Sequence, residues 1–441
     1  MKPPIRWSLI QMSSDQTMQN ILPVLALSPD RVIQIVSGRI QKSAPKGPDA
    51  VQSALAGSGF NPEFGDVRMS PHHPTHTDVF QAIHQAVEEE RAAGRTPVIN
   101  VTGGSKLMSI GAFAAAAKTE SPAVYVDTPQ MRFVLAYDGP PEIHSALGPL
   151  MDFNAAMRGL TLELIAIAHG ARLGHAEDWQ VMLPLSESIR DSFDGWQQCA
   201  KDFDRLLRAQ ASPGKRFPPY PEDVEGWMRL WTLPFSLPSL VGTEAVRTGH
   251  VIHDGSHFRL SPGWMLPQLT ELLARKPAPV RGKPTPEQRL IWDAFEKEAN
   301  LLTLRVQAFL NLLFGGSWLE VLTAESLKRQ SDILDVRWSV PEFNIKGNPA
   351  TEHDVLALWH GRLVRVSCKL GGAGDKLPAA CSEAAHAARR LGGILSIGVL
   401  GVGPGLSYKR RQSLLERAQR DRILVVEAVD LPRNDWFRPG L

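Results

Sequence analysis

Thr102-Gly-Gly-Ser-Lys106 joins the apolar run Val98–Val101 to an alanine-rich stretch that ends near Lys118. A strand that turns through glycines into a helix exposes unpaired N–H groups and the positive end of the helix dipole. Gly103 and Gly104 let a ligand come close to bare backbone. Thr102 and Ser105 offer hydroxyls, and Lys106 adds a point charge. That is chemistry for a phosphate-bearing ligand. The spacing is neither the Walker Gly-x-x-x-x-Gly-Lys-[Ser/Thr] nor the dinucleotide Gly-x-Gly-x-x-Gly, so ATP and NAD are not the natural ligands. A plain turn whose glycines serve packing fits the same five residues. The loop Ser13-Ser-Asp-Gln-Thr17, after the first apolar strand, tips the balance. It falls on the same carboxyl edge of a parallel sheet, outside which ligands bind.

The stretch Thr351–Lys369 carries a second constellation. With His360-Gly361 as a two-residue turn, Trp359 faces Arg362. Counting outward sets Asp354 opposite Ser367 and Glu352 opposite Lys369, all four on one face. Val355, Ala357, Val364, Val366 and Cys368 line the other. A strand-end carboxylate beside a lysine suits metal-assisted phosphodiester cleavage. Asp354, Glu352 and the upstream Glu320 are candidate ligands for Mg²⁺ or Mn²⁺. Lys369 orients the nucleophile or neutralises charge. A solvated hairpin with a surface Glu–Lys pair fits the spacing as well.

Other clusters carry less. His72, His73 and His76, in a proline-flanked loop without helical spacing or cysteine, read as a polar loop rather than a zinc site. Arg247 and His253 have a ribonuclease-like spacing but fall in a probable ribbon. Tyr408-Lys-Arg-Arg411 is a small basic cluster, either a solvated face or a contact to a phosphate backbone. Cys368, between valines, reads as core.

These residues need elements to hold them. Residues 1–148 alternate strand and helix signals, which implies a parallel sheet covered on both faces. Residues 149–285 are helical. They end in the ribbon Val251–Leu260, with Asp254-Gly255 as its turn, and a basic, proline-rich linker. Helices followed by such a ribbon are a winged helix or a plain connector. Residues 286–441 form another mixed α/β unit. Among 441 residues, 48 Lys and Arg nearly balance 46 Asp and Glu, so a polyanion site must be a local patch. Three cysteines without disulfide or zinc spacing fit a reducing cytoplasm. No apolar run is long enough to span a bilayer, and no membrane partner is expected.

Asn100-Val-Thr-Gly-Gly-Ser-Lys-Leu-Met108 resembles the strand–loop–helix signature of the CRISPR-associated Rossmann-fold (CARF) sensor domains, and Asn20–Val32 resembles their opening helix and second strand. Those domains dimerise and bind cyclic oligoadenylates made by type III CRISPR complexes. The resemblance implies that Ser14, Thr102, Gly103, Gly104, Ser105 and Lys106 contact the cyclic nucleotide, with Ser13, Asp15, Gln16 and Met108 as further ligand-binding candidates. Ser105 stands where the family usually has Thr. Gly316–Glu320, the Glu352-x-Asp354-Val355 start, the Cys368-Lys369 end and Gly392–Leu395 together resemble the PD-(D/E)xK domain of CRISPR ancillary nucleases. The implied whole has a Rossmann-like CARF sensor, a helical or winged-helix-like middle and a restriction-endonuclease-like α/β domain. It is a cytoplasmic homodimer that cuts DNA or RNA with a divalent metal, switched on allosterically by cyclic tetra-adenylate. One residue departs from that family: Ser367 stands where it has Glu. Either Glu352 takes over, or Glu383 supplies a displaced ligand, or the domain is inactive and the chain is a ligand-responsive nucleic-acid-binding regulator.

Overall fold

The structure, a computed structural model, describes residues 5–14, 16–37, 48–57, 59–68, 74–210, 234–261, 263, 266–278, 283–370, 377–433 and 436–437. Asp15, His72, His73 and part of the basic linker lie outside the described residues.

The N-terminal unit runs β1 (Trp7–Met12), α1 (Met18–Leu27), β2 (Arg31–Val36), α2 (Pro48–Gly57), β3 (Glu63–Arg68), α3 (His76–Ala92), β4 (Thr96–Asn100), α4 (Lys106–Lys118), β5 (Ala123–Asp127) and β6 (Arg132–Tyr137). The sheet order is β3-β2-β1-β4-β5-β6. Only β6 runs antiparallel to its neighbour. This is a Rossmann-like, doubly wound sheet. All six residues of β1 are buried, as a strand covered on both faces requires. Leu9, Val32 and Val98 pack with α1 and α2, while Ile10, Ile33 and Ile99 pack with α3 and α4. The strand order reverses between β1 and β4, so the loops after these two strands flank the topological switch point.

Three short helices follow: α5 (Pro141–Leu147), α6 (Phe153–Arg158) and α7 (Leu162–Ala168). Then β7 (Ala171–Leu173) joins the edge of the C-terminal sheet by pairing with β10 (Ile333–Asn344). Next come α8 (Leu183–Asp191), α9 (Phe193–Gln210) and α10 (Ser239–Arg247). They are followed by the hairpin β8 (Val251–His253) and β9 (Phe258–Leu260), then α11 (Leu266–Ala274). The hairpin turns at Asp254-Gly255, where the Asp254 carboxylate accepts the N–H groups of Ser256 and His257. Long helix α12 (Pro286–Phe314) starts on a Thr285–Gln288 capping box.

The last unit adds α13 (Ser317–Lys328), then β10, β11 (Pro349–Trp359), β12 (Arg362–Lys369), α14 (Leu377–Gly392), β13 (Ile397–Val402), α15 (Tyr408–Asp421) and β14 (Ile423–Glu427). The sheet order is β14-β13-β12-β11-β10-β7. β10, β11 and β12 are antiparallel neighbours, whereas β12, β13 and β14 are parallel. Val355, Ala357, Val364 and Val366 pack with α13 residues Trp318 and Leu322. Leu356, Leu358 and Leu363 share a buried layer with Leu391 of α14, Met157 of α6 and Leu22 and Leu55 of the N-terminal unit. One apolar layer therefore ties the first sheet to the β11–β12 hairpin. A Cβ on Gly361, at that hairpin's tip, would lie 2.2 Å from the carbonyl oxygen of Met157.

Candidate functional site

The first candidate site is built by the β1 and β4 loops. The Ser105 backbone is extended and its hydroxyl accepts the Met108 N–H, so Ser105 caps α4. Gly104 has φ +80°, and a Cβ on Gly103 would lie 2.3 Å from the carbonyl oxygen of Met12. The two loops thus touch backbone to backbone, which only glycine permits. Gly104, Ser105, Lys106 and Gln16 are exposed and Ser14 is half-buried. Ser13 and Met108 are buried: the Ser13 hydroxyl donates to Gln34 at 2.7 Å, and Met108 packs in the core under the loop. The Thr102 hydroxyl donates to Asn100 and accepts the Val126 N–H, which fixes the loop from below.

Buried amides that the sequence reading did not single out hold these loops. Asn100 donates to the Gln19 carbonyl and Asn20 donates to the Met12 carbonyl. Their signal was a polar side chain inside otherwise apolar segments.

The second candidate site lies where the β11–β12 ladder ends. The turn at His360-Gly361 has φ of +48° and +76°, and Trp359 pairs with Arg362 as counted. The ladder's last pair is Val355–Val366. One residue beyond it, the Asp354 carboxylate takes the Cys368 N–H at 2.6 Å. The simple alternation of faces fails at this point. Trp338 and Val355 pair and pack toward α13, whereas their neighbours Val340 and His353 turn toward the α14 side. Ser339 lies between these pairs, opposite Asp354, with φ +50°. A kink at Ser339 therefore rotates both strands, a strained backbone of the kind found beside active sites.

Glu320, in the first turn of α13, accepts the Trp338 indole N–H at 3.0 Å. Burial first, then the Asp354 charge, pushes Glu320 up to about 8 against that hydrogen bond; Glu352 adds to the rise and Lys369 opposes it. The other three proposed catalytic residues are thus felt at the Glu320 carboxyl group. Glu352 itself is exposed and accepts the Ser339 hydroxyl at 2.6 Å. Among the described residues, no three His, Cys, Asp or Glu side chains are grouped to hold a metal. Of the charges around Glu320, that of Asp354 acts on it most strongly. Ser367 reaches Asp354 at 3.4 Å, and Glu383 stands exposed on α14. Burial pushes the Cys368 thiol up, and its sulfur faces Thr323.

Behind Asp354 lies a network the sequence did not reveal. Arg365 Nε donates to His353 Nδ1 at 2.9 Å, so Nε2 of this tautomer donates to Glu342 at 2.7 Å. Arg390 from α14 donates to the same carboxylate at 2.6 Å. Burial opposes ionisation, but the bonds from His353 and Arg390 hold Glu342 down at about 2. A depressed carboxyl stabilises the fold above its unfolded value of 4.5 and loses that contribution as pH falls from there through about 2. Glu342→Gln is therefore expected to cost about 2–3 kcal/mol at pH 7 and to flatten the acid limb below pH 5, read as melting temperature against pH.

The Arg247 and His253 spacing resolves into structure. Arg247 pairs with Glu244 at 2.7 Å, and the His253 ring packs against Phe258 at 4.5 Å on the hairpin.

Residues 8–139 match the Card1 CARF domain family. No curated protein is similar enough in sequence to count as a match. Among solved structures, protein VC1899 from Vibrio cholerae shares 13% identity at a TM-score of 0.63, covering 97% of this chain and 95% of that one. Can2 from Sulfobacillus thermosulfidooxidans, solved in complex with cyclic tetra-adenylate, shares 15% identity at a TM-score of 0.58, covering 98% and 96%. At these identities the likeness is one of fold, and it extends over nearly the whole chain.

Proposed function

We propose that this chain is a metal-dependent nuclease of type III CRISPR defence, gated by cyclic oligoadenylate and working as a homodimer. The observation that carries the reading is the shared apolar layer. It connects the Rossmann-like unit, whose rim has the features of a phosphate site, to the hairpin that bears Asp354 and Lys369. The match to the Card1 CARF domain and the fold shared with cyclic tetra-adenylate-bound Can2 support the choice of ligand.

At the rim, Lys106 and the exposed amides around Gly104 and Ser105 meet phosphate, and Ser14 and Gln16 approach from the β1 loop. A ring with repeated phosphates suits two copies of this surface. The outer face of α4 supports pairing of two chains, because Leu107, Ile110 and Phe113 are 53%, 57% and 42% exposed beside Lys106. Ile110→Glu is expected to give a monomer by light scattering and to lose ligand binding, with the far-UV spectrum unchanged.

At the second site, two carboxylates fit one divalent cation with water completing the shell, a common arrangement for Mg²⁺. The fit also rests on Glu320, whose ionisation the Asp354 charge opposes until a cation offsets it. Glu320 and Asp354 would hold Mg²⁺ or Mn²⁺, which supplies Lewis-acid activation of water and of the scissile phosphate. The Cys368 amide fixes Asp354 in place. Lys369 neutralises charge on the phosphate. The neutral Ser367 contributes no charge to the cation, and Glu352, whose charge also acts on Glu320, is a reserve. Ligand at the rim biases a two-state placement of α6 and α7 against the hairpin, which is how binding reaches the carboxylates.

Ser367 also favours a second reading, a ligand-responsive nucleic-acid-binding regulator with an inactive nuclease fold. Plasmid DNA and single strands, incubated with and without Mn²⁺ and cyclic tetra-adenylate, separate the two. Cleavage only with both additions supports the nuclease, and binding without cleavage supports the regulator.

A further inference from the structure

We infer that the start of α15 is a docking surface for an unpaired nucleic-acid strand, with Tyr408 stacking on a base and Lys409 and Arg410 contacting phosphates. The inference rests on the nuclease reading and adds where the substrate runs. Its first support is position. Lys369 ends β12 and pairs with Val402 at the end of β13, and the Gly403 N–H donates to the Lys369 carbonyl at 2.9 Å. Five residues further on, the chain enters α15. At no more than about 3.5 Å per residue, Tyr408 lies within roughly 17 Å of that point, the reach of two or three nucleotides.

The second support is exposure. Tyr408 is 76% exposed and has no ring partner among the described residues. Gly405, in the connecting loop, has φ +90° with open space where a Cβ would stand, so a strand can pass close to the backbone.

Charge is the third. Residues 408–422 carry six cations, Lys409, Arg410, Arg411, Arg417, Arg420 and Arg422, against Glu416 and Asp421, in a chain whose net charge is only +2. Arg411 is bound to Glu427 at 2.5 Å, and Arg417 to Asp421 at 2.8 Å and to Ser382 at 2.6 Å. Lys409 and Arg410 have no ion-pair partner among the described residues. They stand in a first turn with no acidic residue, where the helix dipole opposes cations. A polyanion supplies the missing charge. Duplex bases already stack on each other, so an exposed aromatic beside two cations selects a single strand, of DNA or RNA alike.

The test uses the full-length Asp354→Asn protein with cyclic tetra-adenylate and fluorescein-labelled dT20, rU20 and a 20-base-pair duplex, read by anisotropy. Tyr408→Ala should weaken single-strand binding about 10-fold and Tyr408→Phe should restore it. Lys409→Ala with Arg410→Ala should weaken it at least about 10-fold and lower the salt slope by about 1.4. Duplex binding should not depend on Tyr408. Equal losses for dT20 and rU20 indicate a site blind to the sugar, and a loss confined to one identifies the strand it takes; either supports the inference. Single-strand binding that is absent, or unchanged in both variants, overturns it. If wild-type protein cleaves, the same substitutions made in it leave cleavage unchanged, and binding in the Asp354→Asn protein is unchanged too, this inference fails and the nuclease reading stands. If wild-type protein never cleaves yet binding depends on Tyr408, the nuclease reading fails and the strand contact stands.

Discussion

Asp354→Asn is expected to lower metal-dependent cleavage by about 10³-fold or more while leaving the fold and cyclic tetra-adenylate binding intact. The reason is the double duty of this carboxylate. Its oxygen accepts the Cys368 N–H at 2.6 Å, a bond an asparagine carbonyl can keep. Its negative charge, which the asparagine lacks, raises Glu320 and would hold the cation. Removing the charge takes away Lewis-acid positioning, a loss of several kcal/mol in the transition state. Asp354→Ala should lose the same activity and also cost about 1–3 kcal/mol of stability, because the Cys368 amide is left without its acceptor. Single-turnover cleavage with Mn²⁺ and thermal melts of the three proteins separate the two duties. Activity within 10-fold of wild type in Asp354→Asn would place the chemistry elsewhere.

The second large effect is expected at Gly103. An alanine there would set its Cβ 2.3 Å from the Met12 carbonyl oxygen, so the β1 and β4 loops must part. The rim depends on their contact, since Lys106 and Ser105 come from one loop and Ser14 and Gln16 from the other. Gly103→Ala should therefore reduce cyclic tetra-adenylate affinity by more than about 100-fold. Lys106→Ala, which removes one cation and moves no backbone, should reduce it about 10-fold. Calorimetric titration checks both, and a Gly103→Ala protein that binds like wild type would break the link between loop contact and ligand.

Much of this was legible because local signals and global fold agree. The apolar strands Trp7–Met12 and Arg31–Val36 and the glycine loop before an alanine-rich helix define a parallel sheet with its crevice. His360-Gly361 fixed the hairpin register, since both residues adopt the positive φ that such a turn needs. What stayed hidden depends on backbone twist and on distant partners. Nothing in Ser339 announces a φ of +50°, yet that kink breaks the alternation used to place Asp354, Glu352, Ser367 and Lys369 on one face. Arg390 lies 48 residues from Glu342, and only the packing of α14 on the sheet brings them together. Ser13 and Met108 look like loop-edge ligands by position, but burial turns both inward. Likewise, β7 is three residues of unremarkable sequence whose partner is supplied by β10.

The central claim, that a phosphate-bearing ring sits at the rim between β1 and β4 of two paired chains, is tested most directly by titrating cyclic tetra-adenylate into the wild-type protein by calorimetry. The account predicts saturable binding with one ring per two chains, lost in Ile110→Glu and weakened in Lys106→Ala. Absence of heat, or one ring per chain on a monomer, would contradict it.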